Sequence, residues 1–436
     1  MAFQQGLSGL RVSSKGIDVT SHNIANTSTV GYKSSRGNFA DMYANAVGSK
    51  VNVGFGAKTI AVQQQFTQGG LTATANALDL AINGGGFFVM EAPNGETTYT
   101  RNGEFHLNNE GYVVNDSGYF LTGYKATPDG KTIQEGVTDR ILVTNENIEP
   151  NATSQVNMGI NLNANEKQPE DTKWVDKPAV EKTSWNPDPK TYNKTTSLSI
   201  YDSLGNPHTL SLYFVRTADA GKWNVYANLD STSTQYVGAQ TADKPLLTLE
   251  FDENGELKDP TKANVALEIK QEDLKTINEI NGLPDTGAGA INIAFDLSNS
   301  SQYAGDFAVT DLTQDGYTTG YTVGISVSDD GIVQQNYSNG ETKNIGQVIL
   351  ASFTNEQGLL SIGDNQWRET RDSGPAKVGI ANTSNLGGIL GSQIEESNVD
   401  LTNELVNLIV FQRNYQANAK SITTQDTLIQ TIINMN

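Results

Sequence analysis

The 436-residue chain contains no cysteine. That excludes disulfides, thiolate catalysis and cysteine-ligated metals together. Long apolar runs are missing as well. No stretch of about 18 apolar residues occurs, so no transmembrane helix and no membrane insertion are expected. The N-terminal segment MAFQQGLSGLRVSSKG has neither the apolar centre nor the early basic cluster of a cleaved signal peptide. It fits a cytoplasmic chain, or one exported by a route without a cleaved signal. Basic charge is scarce: 29 Lys and Arg stand against 49 Asp and Glu, a net charge of -20, which argues against nucleic acid as a partner.

Catalytic signatures are also lacking. The three histidines, His22, His106 and His208, lie far apart in the sequence, and no HExxH or other metal-ligand spacing occurs. Gly84-Gly85-Gly86 is not followed by the Lys-Ser/Thr of a phosphate loop and reads as a hairpin turn. Asp252-Glu253-Asn254-Gly255 places its glycine two positions too early for a calcium loop. No Ser/His/Asp signature is present, and the many acidic pairs specify no glycosidase geometry. No enzyme, no cofactor and no metal site are expected.

Proline is absent from residues 1–92 and 376–436, while nine of the twelve prolines fall between Pro150 and Pro284. Proline breaks helices and central strands, so continuous helix is expected at the ends and not in the middle. Both ends carry a heptad pattern. At the N-terminus it links Phe3, Leu7, Leu10, Ser14, Ile17, Ser21 and Ile24. At the C-terminus it links Leu401, Leu405, Leu408, Gln412, Tyr415, Ala419, Ile422, Asp426, Ile429 and Ile433.

The N-terminal helix is expected over about Phe3 to Ile24. Its Ser, Thr, Gly and Asn residues form helix poorly, so it is expected to be disordered in the free monomer and to order on assembly. The C-terminal helix is expected to begin at a capping-box-like Ser397-Asn398-Val399-Asp400 and run to about Ile433. Residues Leu405 to Phe411 are apolar around most of the circumference, which requires more than one partner. The arms differ in sign. Arg11, Lys15, Lys33, Arg36 and Lys50 outnumber Asp18 and Asp41 in residues 1–50, whereas Glu395, Glu396, Asp400, Glu404 and Asp426 outnumber Arg413 and Lys420 in residues 392–436. Opposite charge favours pairing of the arms with each other and with copies of themselves, although exposed pairs contribute little.

Between the arms the pattern is strand and turn. Residues 26–70 read as an extended connector with short strands. Leu78 to Ile82 and Phe87 to Met90 read as a hairpin around Asn83-Gly84, and further turns fall at Asn94-Gly95, Asn102-Gly103, Glu110-Gly111, Ser117-Gly118 and Asp129-Gly130. The proline-rich middle carries Trp174, Trp185 and Trp223, a hairpin over Thr195–Val215, and strands at Trp223–Leu229 and Pro245–Phe251. Strands resume at Tyr321–Val327, Ile332–Tyr337 and Gln347–Thr354. The fold class is therefore α+β: terminal α-helical coiled-coil arms flanking nested, mainly antiparallel β domains in an elongated molecule. The expected division is 1–25 with 397–436 as the helical arm domain and 26–70 as the connector. An inner β domain spans 71–147 with 319–396, and an inserted outer β domain spans 148–318.

One long motif carries a resemblance. Ser21-His22-Asn23-Ile24-Ala25-Asn26-Thr27-Ser28-Thr29-Val30-Gly31-Tyr32-Lys33 is similar to the N-terminal signature of bacterial flagellar axial proteins, the rod and hook family. Its matching positions are Asn23, Asn26, Thr29, Gly31, Tyr32 and Lys33. Asp79 to Phe88 and Thr100 to Phe105 resemble the family's β segments. Asn398, Asp400, Gln412, Arg413 and Tyr415 fall in stretches that resemble its C-terminal signature. An insert of this size, with Tyr201-Asp202-Ser203-Leu204-Gly205-Asn206-Pro207-His208 inside it, resembles the hook branch rather than the shorter rod branch.

The resemblance implies a tubular homopolymer outside the cell that joins rod to filament and transmits motor torque while bent. It implies export without a cleaved signal through the flagellar type III export apparatus. The implied partners are the distal rod protein, the hook cap and the hook–filament junction protein. Rival readings are a distal rod or junction subunit and, in other classes, a secreted β-domain adhesin or hydrolase.

Overall fold

The computed structural model describes residues 2–42, 54, 56–170, 187–233, 236–238, 240–241 and 244–434. Lys50, Trp174, Trp185 and part of the expected connector lie outside these residues. Three α-helices are described: α1 (Ala2–Ala25), α2 (Gln271–Ile280) and α3 (Leu401–Asn434). The rest is mainly antiparallel sheet, so the class is α+β. The chain divides into two compact units, one of residues 1–145, 323–336 and 342–436, the other of residues 146–322 and 337–341.

The second unit is built on two four-stranded sheets. One contains the hairpin of Lys194–Tyr201 with Pro207–Arg216, continued by Lys222–Leu229 and Leu247–Glu250. Its strands alternate as one buried face requires: Leu210, Leu212 and Phe214 face Trp223, Val225 and Leu249 in one apolar cluster. The other sheet orders Asn264–Ile269, Ile291–Asp296, Gln155–Asn161 and Ala308–Gln314, with one parallel pairing between Gln155–Asn161 and Ile291–Asp296. Helix α2 is a departure from the expectation of no helix in the middle. No proline falls between Pro260 and Pro284, and Leu274 and Ile277, three apart on one face, drop into the same core.

In the first unit, hairpins turn as expected around Gly95, Gly111, Gly118 and Gly130, all at positive φ. Two expected turns are corrected. Strand Leu80–Asn83 pairs with Gly388–Gly391, not with Phe87–Glu91, which pairs with Thr97–Thr100 and Phe120–Ala126. Gly84 to Gly86 is therefore a passage between two sheets. Gly84 sits at φ +124, where a Cβ would stand 3.0 Å from the Gly387 backbone. Likewise Asn102-Gly103 joins unpaired strands. Gly103 is needed because its Cα lies against the carbonyl of Leu80.

The expected connector contains strands. Strands Ser35–Met42 and Gly56–Gln64 pair with each other along eight residue pairs, so the segment doubles back as a ribbon. α1 is continuous and packs on α3 and on this ribbon. The expectation of a disordered N-terminal arm considered the helix alone. In the chain its weak propensity is offset by tertiary contact.

Candidate assembly site: the helix pair and its polar base

α1 and α3 run antiparallel, and their contact is made by small residues. The fully buried positions of α1 are Gly6, Ser13, Gly16, Thr20 and Asn23, and with half-buried Gly9 they form a row again three and four apart. A Cβ on Gly6 would stand 2.8 Å from Ile422, one on Gly9 2.6 Å from Asn418, and one on Gly16 2.6 Å from the Phe411 ring. Glycine leaves room for these α3 side chains, which a larger residue would have to displace. Sequence reasoning missed this row, since it weighed the glycines only as poor helix formers. Their spacing was the signal.

Of the expected apolar seam, Ile422 takes part in this contact, while several other members are exposed. Phe3 and Leu7 are exposed, while Leu10, Ile17 and Ile24 are half-buried. On α3, Leu401, Leu405, Tyr415 and Ile429 are exposed, while Leu408 and Ile422 are half-buried. No described side chain of this 34-residue helix is buried. Gln412 and Arg413 are exposed on it.

The signature residues converge where the helices meet the sheets. Asn23, buried near the end of α1, accepts from the Tyr32 hydroxyl (3.1 Å) and from Ser35 N (2.8 Å), and donates to Ser35 O (2.8 Å). Asn26 closes the helix end, donating to His22 O at 2.9 Å and accepting from the Thr29 hydroxyl at 3.2 Å. Gly31 has φ +68, and a Cβ there would stand 2.5 Å from the Asn102 nitrogen, so no other residue fits. Asn398 accepts from Ser34 N (2.8 Å) and donates to Gln65 O (2.7 Å). Asp400, not Ser397, caps α3: its carboxylate accepts from Thr402 N at 2.9 Å and Asn403 N at 3.2 Å.

At the centre lies an ion cluster that the sequence did not single out. Lys33 Nζ donates to Glu395 Oε1 at 2.6 Å, and Arg101 Nη1 donates to Glu395 Oε2 at 3.1 Å. Lys33 Nζ also donates to Thr67 O at 2.8 Å, and Gly69 N to Glu395 Oε1 at 2.8 Å. All three side chains are essentially out of solvent. Burial pushes the Lys33 ammonium below its ordinary value, against the pull of Glu395. Burial likewise pushes the Glu404 carboxyl up, against hydrogen bonds from Asn23 and Thr20. The arrangement fixes the root of both helices. Among the described residues no group of three or more His, Cys, Asp or Glu is placed to hold a metal.

The three expected histidines are not brought together. His22 is exposed on α1, edge-on to Tyr32 at 5.8 Å. His106 is exposed, 3.5 Å from Asp116. His208 is buried in the second unit with Nδ1 2.6 Å from Asp230 and Nε2 3.6 Å from Asp202.

Comparison with known proteins places this geometry. Residues 81–163 match the flagellar hook protein FlgE/F/G D1 domain, 161–317 the flagellar basal body protein FlaE D2 domain, and 391–435 the flagellar basal body rod FlgEFG protein C-terminal region. The chain is 41% identical over 436 residues to the flagellar hook protein FlgE of Escherichia coli K12, covering 100% of each. It is 39% identical over 437 residues to that of Salmonella typhimurium LT2, again covering 100% of each. A solved structure, the Helicobacter pylori flagellar hook protein FlgE2, is similar at a TM-score of 0.49 and 15% identity, covering 73% of this chain and 98% of that one. The chain belongs to the flagellar hook protein FlgE family.

Proposed function

We infer that the chain is a structural subunit of the bacterial flagellar hook, self-assembling into a curved, flexible tube that couples rod to filament as a universal joint. One observation carries the reading beyond the family: α3, 34 residues long, exposes Leu401, Leu405, Val406, Ile409 and Val410 on several sides at once. A helix apolar around its circumference that meets its own chain on one side only needs further neighbours. The heptad residues Phe3, Leu7, Leu10, Ile17 and Ile24 of α1, with Leu401, Leu405, Leu408, Tyr415, Ile422 and Ile429 of α3, are assigned to contacts between subunits. The Asn23–Lys33 and Asn398–Asp400 residues are assigned to holding the arms in register, and Gln412 and Arg413 to the exposed surface of the arm.

In this reading residues 1–25 with 397–436 line the tube, 26–70 form a connector, 71–147 with 319–396 a middle shell and 148–318 an outer domain. Seams between helices resist twist, while polar contacts between outer domains slide as the tube bends. The subunit acts outside the cell, reaches it through the flagellar type III export apparatus without a cleaved signal, and meets the distal rod protein, the hook cap and the hook–filament junction protein. Electron microscopy of concentrated full-length protein beside a truncated chain of residues 30–395 tests the reading. Curved tubes are expected from the full-length chain only. Tubes from the truncated chain would show that the terminal arms are not the assembly element.

A further inference from the structure

The register of the helix pair leaves part of α3 beyond its partner. Gly6 lies against Ile422, Gly9 against Asn418 and Gly16 against Phe411. By the same register Ala2, where α1 begins, falls opposite Asp426. Residues 427–434 therefore extend past the start of α1 by about 12 Å. Leu428, Ile429 and Ile433 in this extension are 58%, 52% and 66% exposed. Two helical turns with three large apolar side chains have no support from the described residues of their own chain.

A groove runs beside the same end of α1. It lies between the helix and the ribbon, has a volume of about 510 Å³, and is lined by Leu7, Val12, Met42, Ala57, Arg11 and Lys58 among others. Its apolar wall includes Leu7 and Met42, both exposed. Its charged members are two cations, Arg11 and Lys58, also exposed. The extension has the opposite character: apolar residues preceded by one carboxylate, Asp426, on the face that carries Ile429 and Ile433 at three- and four-residue spacing.

Resting on the reading of the chain as a hook subunit, we propose that the groove receives the 427–434 extension of a second copy. Ile429 and Ile433 fill the apolar wall and Asp426 faces Arg11 and Lys58. Groove and extension are different patches of one chain, so the contact is head-to-tail. A head-to-tail contact propagates without closing when its rotation does not complete a ring, which is the geometry of a helical polymer.

The lack of native cysteine makes the contact directly testable. In one chain Leu7 lies opposite about residue 421, so Ile433 is roughly 18 Å further along α3. That is far beyond the 7 Å Cα separation a disulfide can span. The full-length double variant Leu7→Cys/Ile433→Cys is polymerised, oxidised and run on denaturing gels. A ladder of covalent multimers is expected from the double variant, with nothing above dimer from either single variant.

Polymers that form normally but give no ladder would overturn the proposal and leave the hook reading intact. Absence of polymer from the unaltered chain would instead count against the hook reading. If the cysteine variant alone fails to polymerise, charge reversal decides. Asp426→Lys is expected to raise the critical concentration on the order of tenfold, and adding Arg11→Asp is expected to restore it. Failure to restore would overturn the proposal.

Discussion

The helix α3 and the strand Lys222–Leu229 both carry clusters of large apolar side chains, and they do opposite things with them. In the strand, Trp223, Val225, Ala227 and Leu229 are all fully buried, and they find their partners within one compact unit. In α3, Leu405, Val406, Ile409 and Val410 remain exposed. The strand spends its hydrophobic free energy on folding; the helix holds it for association. Core substitutions in the two regions should therefore be read by different instruments.

The sharpest break of this contrast is Leu405→Asp with Ile409→Asp on α3, both exposed. Polymer formation is expected to be lost entirely, by pelleting assay, while the thermal unfolding of the monomer moves by no more than about 0.5 kcal/mol. Normal tubes from this variant would show that α3 is a helix of the monomer after all. The converse, Trp223→Ala, should cost about 3–5 kcal/mol in calorimetric unfolding.

Glu395→Gln tests the region between these extremes. It strands Lys33 and Arg101 without their anion, and a cost of about 3–5 kcal/mol is expected in chemical denaturation. The smallest effect concerns His208. Burial alone would lower its pKa, but Asp230 and Asp202 together outweigh burial and raise it. A raised folded value means the stability it contributes is complete below the ordinary histidine value of about 6.5. That contribution is then lost as pH rises through the folded value. The stability gap between the native chain and His208→Gln should shrink as pH rises, and a gap that widened would reverse this assignment.

What the sequence made legible was local. The helix bounds, expected at about Ile24 and near Ser397–Asp400, fall at Ala25 and Leu401, and the hairpins follow from Gly95, Gly111, Gly118, Gly130 and Gly205, because a tight turn needs a particular residue at a particular place. What escaped was non-local. Leu80–Asn83 carries no mark that its partner lies at Gly388–Gly391, some three hundred residues on, and the nearer Phe87–Glu91 offered the cheaper guess. Lys33 stands out only as a signature position, and Arg101 and Glu395 look like ordinary surface charges, until the fold brings the three together. The glycines of α1 were visible but ambiguous, since a poor helix former and a close-packing residue are the same letter.

The Lys33–Glu395 pair joins positions 362 residues apart. Protein chains are made from the N-terminus at about 5–20 residues per second. Lys33 therefore exists for tens of seconds before its counter-ion does. During that interval the first unit cannot close without sealing a lone ammonium away from water, which is prohibitively unfavourable. Glu395, close before α3, thus times the event: the base of the arms locks only when almost the whole chain is present, and a chain cut short before Glu395 is left open rather than misfolded shut.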